Sequence, residues 1–415
     1  MKLLLIFLCA VFCRSCFAAP ALAPEDAVPL QEAMTAYFAA TPEQRQAHAF
    51  TPELEKWLLT NESDVRQVAW QAYQAAPIHN QATSDFEKRQ VRFGQHLSPY
   101  TLKSVGTRPL NGWPLFIAMH GGGGTTQEVN DSQWRHMQIY YKDHPELGGY
   151  LYLALRAPNN TWNGFYDDYV YPLVANLIKQ CLLFGDVDAN KVFLIGYSHG
   201  GYGAYAIGPK MPHRFAAIHA SAGAATKGET SAKTLRSTPF SAMVGEKDTA
   251  YERFALNQKF ATLIKELRGK RSDIYPVKIE LLPGFGHGGL PDRDKIVDLY
   301  PHTRNAAPRE LTWEQTDSVI RDFFWLQCEK PGKNQEINAI CRDNRITLTT
   351  TPNVTDLTVL LDNRLVDFSR PISFEVNGKT SQQILRPSLQ VLCDTLLQRG
   401  DPNLAFTSQW KVPFN

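Results

Sequence analysis

Between about residues 106 and 330, short and nearly continuous apolar runs alternate with amphipathic segments of helical period. The apolar runs lie at 115–119, 151–155, 192–195 and 240–244, and helical segments lie near 165–184, 199–211 and 251–268. Strands that are apolar throughout are typical of a parallel sheet with helices on both faces. Because such crossovers are right-handed, the pattern predicts an α/β fold with a doubly wound, mostly parallel sheet.

The segment that precedes this region has a helical pattern. Thr41-Pro42-Glu43-Gln44 is typical of a capping box with proline at the first helical position, and Thr51-Pro52 marks the start of another helix. We predict that residues 20–105 form a helical N-terminal arm packed against the central domain of residues 106–330.

The segment that follows the central region is rich in strand patterns. Apolar runs on both sides of Asp362-Asn363 predict a hairpin over 357–368, and an alternating strand precedes the turn dipeptide Asn377-Gly378. A helix is predicted over 383–398. We therefore expect a small β-rich C-terminal extension over residues 331–415.

The first 19 residues have the three parts of a secretory signal peptide. Lys2 precedes an apolar run at 3–12, and the small residues Ala18 and Ala19 follow it. This pattern predicts a secreted or periplasmic protein. No later stretch approaches the roughly 20 consecutive apolar residues that a spanning helix needs, so no membrane span is expected.

The charge of the mature chain is expected to be close to zero. The full chain has 43 basic and 41 acidic residues, and removal of residues 1–19 takes away Lys2 and Arg14. Affinity for nucleic acids and anionic membranes depends largely on clustered positive charge, so neither is an expected partner.

Four of the seven cysteines lie beyond the signal segment. Cys181 and Cys393 each share a helical face with leucines, which predicts buried thiols. Cys328 and Cys341 flank a polar loop, and we predict a disulfide between them, with two free thiols as the alternative.

The strongest chemical motif is Gly-x-Ser-x-Gly at 196–200. It follows the apolar strand at 192–195 and precedes a helical segment. In that context the glycines permit a cramped turn that lifts the Ser198 hydroxyl above the sheet. The alternative interpretation is a glycine-rich turn that serves helix packing.

A second glycine-rich segment, His120-Gly121-Gly122-Gly123-Gly124, directly follows the strand at 115–119. Acyl transfer places negative charge on a carbonyl oxygen, and preorganised backbone amides stabilise it. We expect such an oxyanion hole from Gly121 or Gly122 together with His199. A phosphate-binding loop is the alternative, but no Lys-Ser/Thr follows.

A serine hydroxyl needs a base to accept its proton and a carboxylate to orient that base. His287 follows an alternating strand, and Asp248 follows the strand at 240–244. Both loops are expected at the same edge of the sheet as Ser198. Asp292 and Asp294 compete with Asp248 as the carboxylate, and His287 taken alone fits a structural histidine equally well.

Together the motifs HGGGG (120–124), GYSHGG (196–201), VGEKD (244–248) and GFGHGG (284–289) resemble the α/β-hydrolase superfamily. The sequence is similar to exported esterases of the polyhydroxybutyrate-depolymerase and feruloyl-esterase groups and to related predicted peptidases. The resemblance covers residues 106–330 and implies a catalytic triad of Ser198, Asp248 and His287 that needs no metal or organic cofactor. It departs from the depolymerase pattern in Tyr197 and His199 and in having no cysteine near the glycine loop.

Substrate contacts are expected at the same edge of the sheet. Trp162 and Tyr166 lie in the loop after the strand at 151–155, where aromatic rings can stack on a sugar or an aromatic acyl group. A packed loop is the alternative. The further candidate substrate contacts are His120, Tyr197 and Asp292, and a local salt bridge is the alternative for Asp292.

Three functions fit the sequence. The first is a secreted serine hydrolase that cleaves carboxylic esters of polysaccharide- or polyester-derived substrates through an acyl-enzyme on Ser198. The second is a serine peptidase of the prolyl-oligopeptidase type, and the third is a catalytically weak polysaccharide-binding protein. The expected partner is a small-molecule or polymer-derived ester, and the sequence indicates no oligomeric state.

Overall fold

The computed structural model describes residues 22–414, so the predicted signal peptide lies outside the described residues. The centre of the protein is an eight-stranded sheet. Its strands are β1 (Gln90–Phe93), β2 (His96–Gly106), β3 (Trp113–Met119), β4 (Gly149–Leu155), β5 (Val187–Tyr197), β6 (Ala217–Ser221), β7 (Phe240–Gly245) and β8 (Val277–Leu282).

The strand order across this sheet is β1-β2-β4-β3-β5-β6-β7-β8. β1 and β2 are antiparallel to their neighbours. All pairings from β4 to β8 are parallel. The predicted α/β fold with a doubly wound, mostly parallel sheet is therefore confirmed.

Helices lie before the sheet, on its two faces and near the C-terminus. They are α1 (Pro24–Ala39), α2 (Pro42–Ala47), α3 (Pro52–Glu55), α4 (Glu62–Ala75), α5 (Asn80–Glu87), α6 (Gln127–Met137), α7 (Val170–Phe184), α8 (His199–Lys210), α9 (Arg253–Arg268), α10 (Lys295–Leu299) and α11 (Leu389–Arg399). The predicted capping box is present at the start of α2, where Thr41 and Gln44 cap each other.

Alternate residues of the central strands enter different cores. Leu115 and Ile117 of β3 are buried in a cluster with residues of α7, α8 and α9. Phe116 and Ala118 are buried on the opposite face with residues of α6 and α10. Both faces of the sheet are thus covered, which is why these strands are apolar at every position.

The C-terminal extension consists of two smaller sheets around one core. Its strands are β9 (Glu310–Gln315), β10 (Asp322–Phe323), β11 (Leu326–Gln327), β12 (Gln335–Arg342), β13 (Arg345–Thr350), β14 (Thr358–Leu361), β15 (Ile372–Val376), β16 (Lys379–Gln383) and β17 (Ser408–Lys411). One sheet has the order β16-β15-β13-β12-β9 and the other β10-β11-β14-β17. As predicted, Asn377 and Gly378 form the tight turn between β15 and β16.

Both predicted domain boundaries shift. β1 and β2 precede residue 106 but belong to the central sheet, so the helical arm ends at α5. β9 precedes residue 331 but pairs with β12, so the extension begins near residue 310.

The predicted hairpin over 357–368 is wrong. β14 pairs instead with β11 and β17, which come from distant parts of the chain. Asp362, at the predicted turn, is fully buried and accepts a hydrogen bond from Arg66 at 3.2 Å. The neighbouring Arg364 also donates to Asp362, at 2.9 Å, so one distant and one nearby arginine hold this buried carboxylate.

The predicted disulfide is also wrong, because all four described cysteines are buried free thiols. The Cys328 thiol donates to the Asp356 carbonyl at 3.0 Å. The Cys341 thiol donates to the Leu365 carbonyl at 3.1 Å. The predicted buried thiols at Cys181 and Cys393 are confirmed.

The arm and the extension share a core with the central domain. Residues of α1, α4 and α11 form one apolar cluster with Leu183 of α7. Buried charges also cross this boundary: Asp401 accepts two hydrogen bonds from Arg304, at 2.7 and 3.1 Å, and both side chains are fully buried. Within residues 22–414, no helix has the length and apolar character needed to cross a membrane.

Candidate functional site

Ser198 lies at the sharp turn between β5 and α8. Its backbone is strained, with φ 56° and ψ −114°, a conformation that costs a non-glycine residue about 1–3 kcal/mol. Its amide donates to the Ser221 carbonyl of β6 at 2.9 Å. A side chain at Gly196 would meet the Gly200 carbonyl at 2.1 Å, so the turn requires glycine there.

Ser198, His287 and Asp248 form one chain of hydrogen bonds. Ser198 Oγ lies 2.9 Å from His287 Nε2, and His287 Nδ1 lies 2.7 Å from Asp248 Oδ2. The Asp248 side chain is 1% exposed and that of His287 is 42% exposed. An arrangement of this kind lets the imidazole accept the serine proton while the carboxylate stabilises the imidazolium.

Arg253, which the sequence motifs did not reveal, holds the other oxygen of Asp248. Its Nη1 donates to Asp248 Oδ1 at 2.6 Å, and its side chain is 7% exposed. Arg253 is the first residue of α9, five positions after the aspartate. With one oxygen on Arg253 and the other on His287, the carboxylate has a single orientation.

The glycine loop lies beside Ser198. A Cβ added to Gly121 would come within 3.5 Å of Ser198 Cβ. The Gly123 amide donates to Asn130 Oδ1 at 2.8 Å. Within residues 22–414, the amides of Gly121 and Gly122 donate to no other group. Both amides remain candidate donors for the predicted oxyanion hole.

The His120 side chain binds to backbone groups of the glycine loop and of the loop after β4. The prediction that His120 contacts the substrate is therefore wrong. The side chain is fully buried. Its Nε2 accepts from the Ala157 amide at 3.0 Å, and its Nδ1 lies 2.5 Å from the Gly121 carbonyl. Burial lowers the pKa of His120 to about 3, so the ring is neutral.

The side chain of His199 is buried beneath the surface of the site. Its Nε2 lies 3.0 Å from the Trp162 carbonyl, and burial lowers its pKa to about 4. A side chain at Gly123 would collide with the His199 ring at 2.5 Å. The backbone amide of His199, which begins α8 directly after Ser198, is the group that the oxyanion-hole prediction concerns.

Two other predicted substrate contacts are buried and are likewise corrected. Asp292 is fully buried and accepts from the Tyr140 hydroxyl at 2.7 Å. Burial raises its pKa. Tyr166 packs in the central core. Asp292 and Asp294 competed with Asp248 as the carboxylate partner of His287, but both bind other groups. Asp292 accepts from Tyr140, and Asp294 pairs with Lys142 at 2.6 Å.

Tyr197 and Trp162 lie next to the hydrogen-bonded chain. The Tyr197 hydroxyl donates to the His287 carbonyl and so ties that loop to the end of β5. Trp162 is partly exposed and packs near His199. Trp162 therefore remains a candidate substrate contact.

No protein-family model matches the chain, and no curated protein matches it. Similar solved structures include a thermostable esterase with 22% sequence identity and a TM-score of 0.37, which covers 50% of this chain and 60% of that one. The poly(3-hydroxybutyrate) depolymerase LpqC from Bordetella parapertussis has 17% identity and a TM-score of 0.34, covering 46% of this chain and 79% of that one. An acetyl xylan esterase from Aspergillus awamori has 13% identity and a TM-score of 0.37, covering 51% and 97%.

The order of the three site residues along the chain identifies the fold. A strained serine joins a central strand to a buried helix, and aspartate and histidine follow in later loops at the same sheet edge. This order is that of the α/β-hydrolase fold.

Proposed function

We propose that the protein is a serine hydrolase that cleaves carboxylic esters through an acyl-enzyme on Ser198. The observation that carries the proposal is the unbroken hydrogen-bonded chain from Ser198 Oγ through His287 to Asp248. The strained turn adds support, because backbone strain of this kind is retained where a side chain must be held in one position.

In the proposed mechanism His287 Nε2 takes the proton from Ser198 as the serine oxygen attacks the ester carbonyl carbon. The resulting oxyanion is held by amides of the glycine loop and of His199. His287 then gives its proton to the leaving alcohol, and the acyl group remains on Ser198. A water molecule gives a proton to His287 and attacks the acyl carbon. The bond between the acyl group and Ser198 then breaks as His287 returns the proton to the serine oxygen, and the acid is released.

The substrates we propose are esters derived from polysaccharides or polyesters. The open position of the site supports this, because His287 is 42% exposed and side chains added at Gly284, Gly286 and Gly288 would meet no neighbour. An ester attached to a longer chain can approach such a site. The export predicted from residues 1–19 would place the enzyme where these polymers are found.

A fluorophosphonate probe is expected to label the protein on Ser198 and to abolish hydrolysis of a nitrophenyl ester. Mass spectrometry of the labelled peptide locates the adduct, and Ser198→Ala is the control. A panel of peptide amides, assayed in parallel, tests for peptidase activity. Labelling that persists in Ser198→Ala, or turnover of amides but not of esters, would contradict the proposal.

Asn130 is expected to matter for turnover although it does not touch the serine. Asn130→Ala removes the acceptor of the Gly123 amide and loosens the glycine loop. We expect kcat to fall by less than the roughly 10²–10³-fold that loss of an oxyanion donor costs. Ser132→Ala, an exposed change on the same helix, is the matched control. Equal kcat values for the two variants would show that Asn130 does not order the loop.

A further inference from the structure

Three aromatic side chains near the site are in contact through the Trp162 ring, and we call Trp162, Tyr202 and Tyr251 the aromatic cluster. The ring centroids of Trp162 and Tyr202 are 5.4 Å apart, and those of Trp162 and Tyr251 are 5.0 Å apart. The rings are tilted by 58° and 37° and do not stack face to face. Tyr202 is buried, so the exposed surface of the cluster belongs to Trp162 and Tyr251.

Each member of the aromatic cluster is attached to a segment that carries a group of the site. The Trp162 ring lies next to Gly124, and its carbonyl contacts the His199 ring. The Tyr202 amide donates to the Ser198 carbonyl at 3.0 Å, one helical turn beyond the serine. Tyr251 follows Asp248 by three residues. The cluster consequently lies between the glycine loop and the carboxylate loop.

Exposure and backbone strain single out Tyr251. As whole residues, Tyr251 is 67% exposed and Trp162 is 36% exposed. Tyr251 and Glu252 are two consecutive non-glycine residues with positive φ, at 54° and 57°. Core packing accounts for the buried Tyr202, but it does not account for a strained backbone that presents a tyrosine ring to solvent.

Arg253 connects the aromatic cluster to the carboxylate. Its guanidinium lies 5.0 Å from the Tyr251 ring centroid and 5.8 Å from that of Tyr202, while it holds Asp248 at 2.6 Å. Cation–π contact with a buried arginine orients both tyrosine rings. Arg253 therefore links the two tyrosines of the cluster to the hydrogen-bonded chain.

We propose that the aromatic cluster is a substrate subsite that binds a ring with a flat apolar face, carried by the ester close to its carbonyl group. The proposal rests on the proposed function of Ser198. Aromatic rings and the faces of sugar rings share this flat apolar surface, and both pack on tryptophan and tyrosine. The ring binds against the exposed faces of Trp162 and Tyr251.

The test measures kcat/KM for four esters. Methyl cinnamate carries the ring in the acyl part, benzyl acetate carries it in the alcohol, an acetylated methyl glucoside carries a sugar, and butyl acetate carries no ring. We expect at least one ring ester to be preferred over butyl acetate by about tenfold or more. The preferred ester identifies the kind of ring and the side of the carbonyl on which it binds.

Variants of Tyr251 test whether the aromatic cluster causes the preference for the ring ester. Tyr251→Ala is expected to reduce the ratio of kcat/KM for the preferred ring ester to that for butyl acetate by about five- to tenfold. Tyr251→Phe keeps the ring and is expected to preserve the ratio. Leu263→Ala removes an exposed apolar side chain from α9 and serves as the control.

Two results would overturn the subsite. One is a native enzyme with no preference for any ring ester, and the other is an unchanged ratio in Tyr251→Ala. If either occurs while Ser198 still reacts with the fluorophosphonate and butyl acetate is still hydrolysed, the proposed function stands. Ester hydrolysis that survives Ser198→Ala would instead reject the proposed function itself.

Discussion

Asp248→Asn is expected to lower kcat by about 10⁴-fold, as for the equivalent change in the serine proteases. With the asparagine oxygen held by Arg253, its NH2 group faces His287 Nδ1, where it can only donate a hydrogen bond and cannot stabilise the imidazolium. His287 is then favoured in the tautomer that cannot accept the Ser198 proton. Steady-state kinetics on a nitrophenyl ester measure the effect, and KM is expected to change little.

The structure adds an effect on stability to this prediction. Arg253 is buried and relies on Asp248 for its charge pairing, so Asp248→Asn also leaves a buried cation without an anion. We expect a lower melting temperature for this variant, in which the asparagine oxygen still accepts from Arg253. Circular dichroism at the assay temperature separates lost folding from lost catalysis.

Asp292→Asn is the matched control. Asp292 is also a buried aspartate in the loop region of the site, but it accepts from Tyr140 and does not reach His287. Because burial raises the pKa of Asp292, a neutral asparagine is a mild replacement. If Asp248→Asn kept more than about a tenth of turnover while Asp292→Asn abolished it, the roles would have to be exchanged.

Asp401→Asn is expected to destabilise the folded protein by about 3–5 kcal/mol, because it leaves Arg304 buried without its anion. Burial alone would raise the pKa of Asp401, but the charges of Arg304 and Arg214 outweigh it and hold the pKa below its usual value. The stabilising charge is therefore present above the ordinary pKa of an aspartate and is lost as the pH falls through the lowered value.

Urea unfolding at neutral pH measures this difference. Asp294→Asn breaks an exposed ion pair with Lys142 and is expected to cost no more than about 1 kcal/mol. The difference between Asp401→Asn and the native protein is expected to shrink in acid. A loss below about 1 kcal/mol at neutral pH would show that the buried pair does not hold the extension in place.

The sequence predicted those parts of the fold that depend on residues close together along the chain. Strands β3, β4 and β7 and residues 192–195 of β5 are almost entirely buried and read as apolar runs, and the turn at Ser198 is marked by its glycines. β6, which contains His219 and Ser221, was not predicted as a strand. β1 and β2 lie at the edge of the sheet, where β2 mixes exposed and buried positions. They lack the continuous apolar signal and were included in the helical arm.

The missed residues of the site depend on contacts between separate elements. Arg253 and Asn130 hold Asp248 and the glycine loop, and neither belongs to a motif. The three residues of the hydrogen-bonded chain were predicted because strand-end loops of a parallel sheet meet at one edge. The burial of His120 and Asp292 was not predicted, because a position in a loop near the site does not reveal which way a side chain packs.

The shared core of the arm and the extension has a consequence for the time at which the chain can fold. The Tyr37 hydroxyl donates to Asp394 at 2.7 Å, and the two residues are 357 positions apart. A ribosome that adds about 5–20 residues per second needs roughly 20–70 s to cover that interval. During this time the arm has been synthesised but α11, against which it packs, has not, so the contacts between the two ends of the protein form only when synthesis is nearly complete.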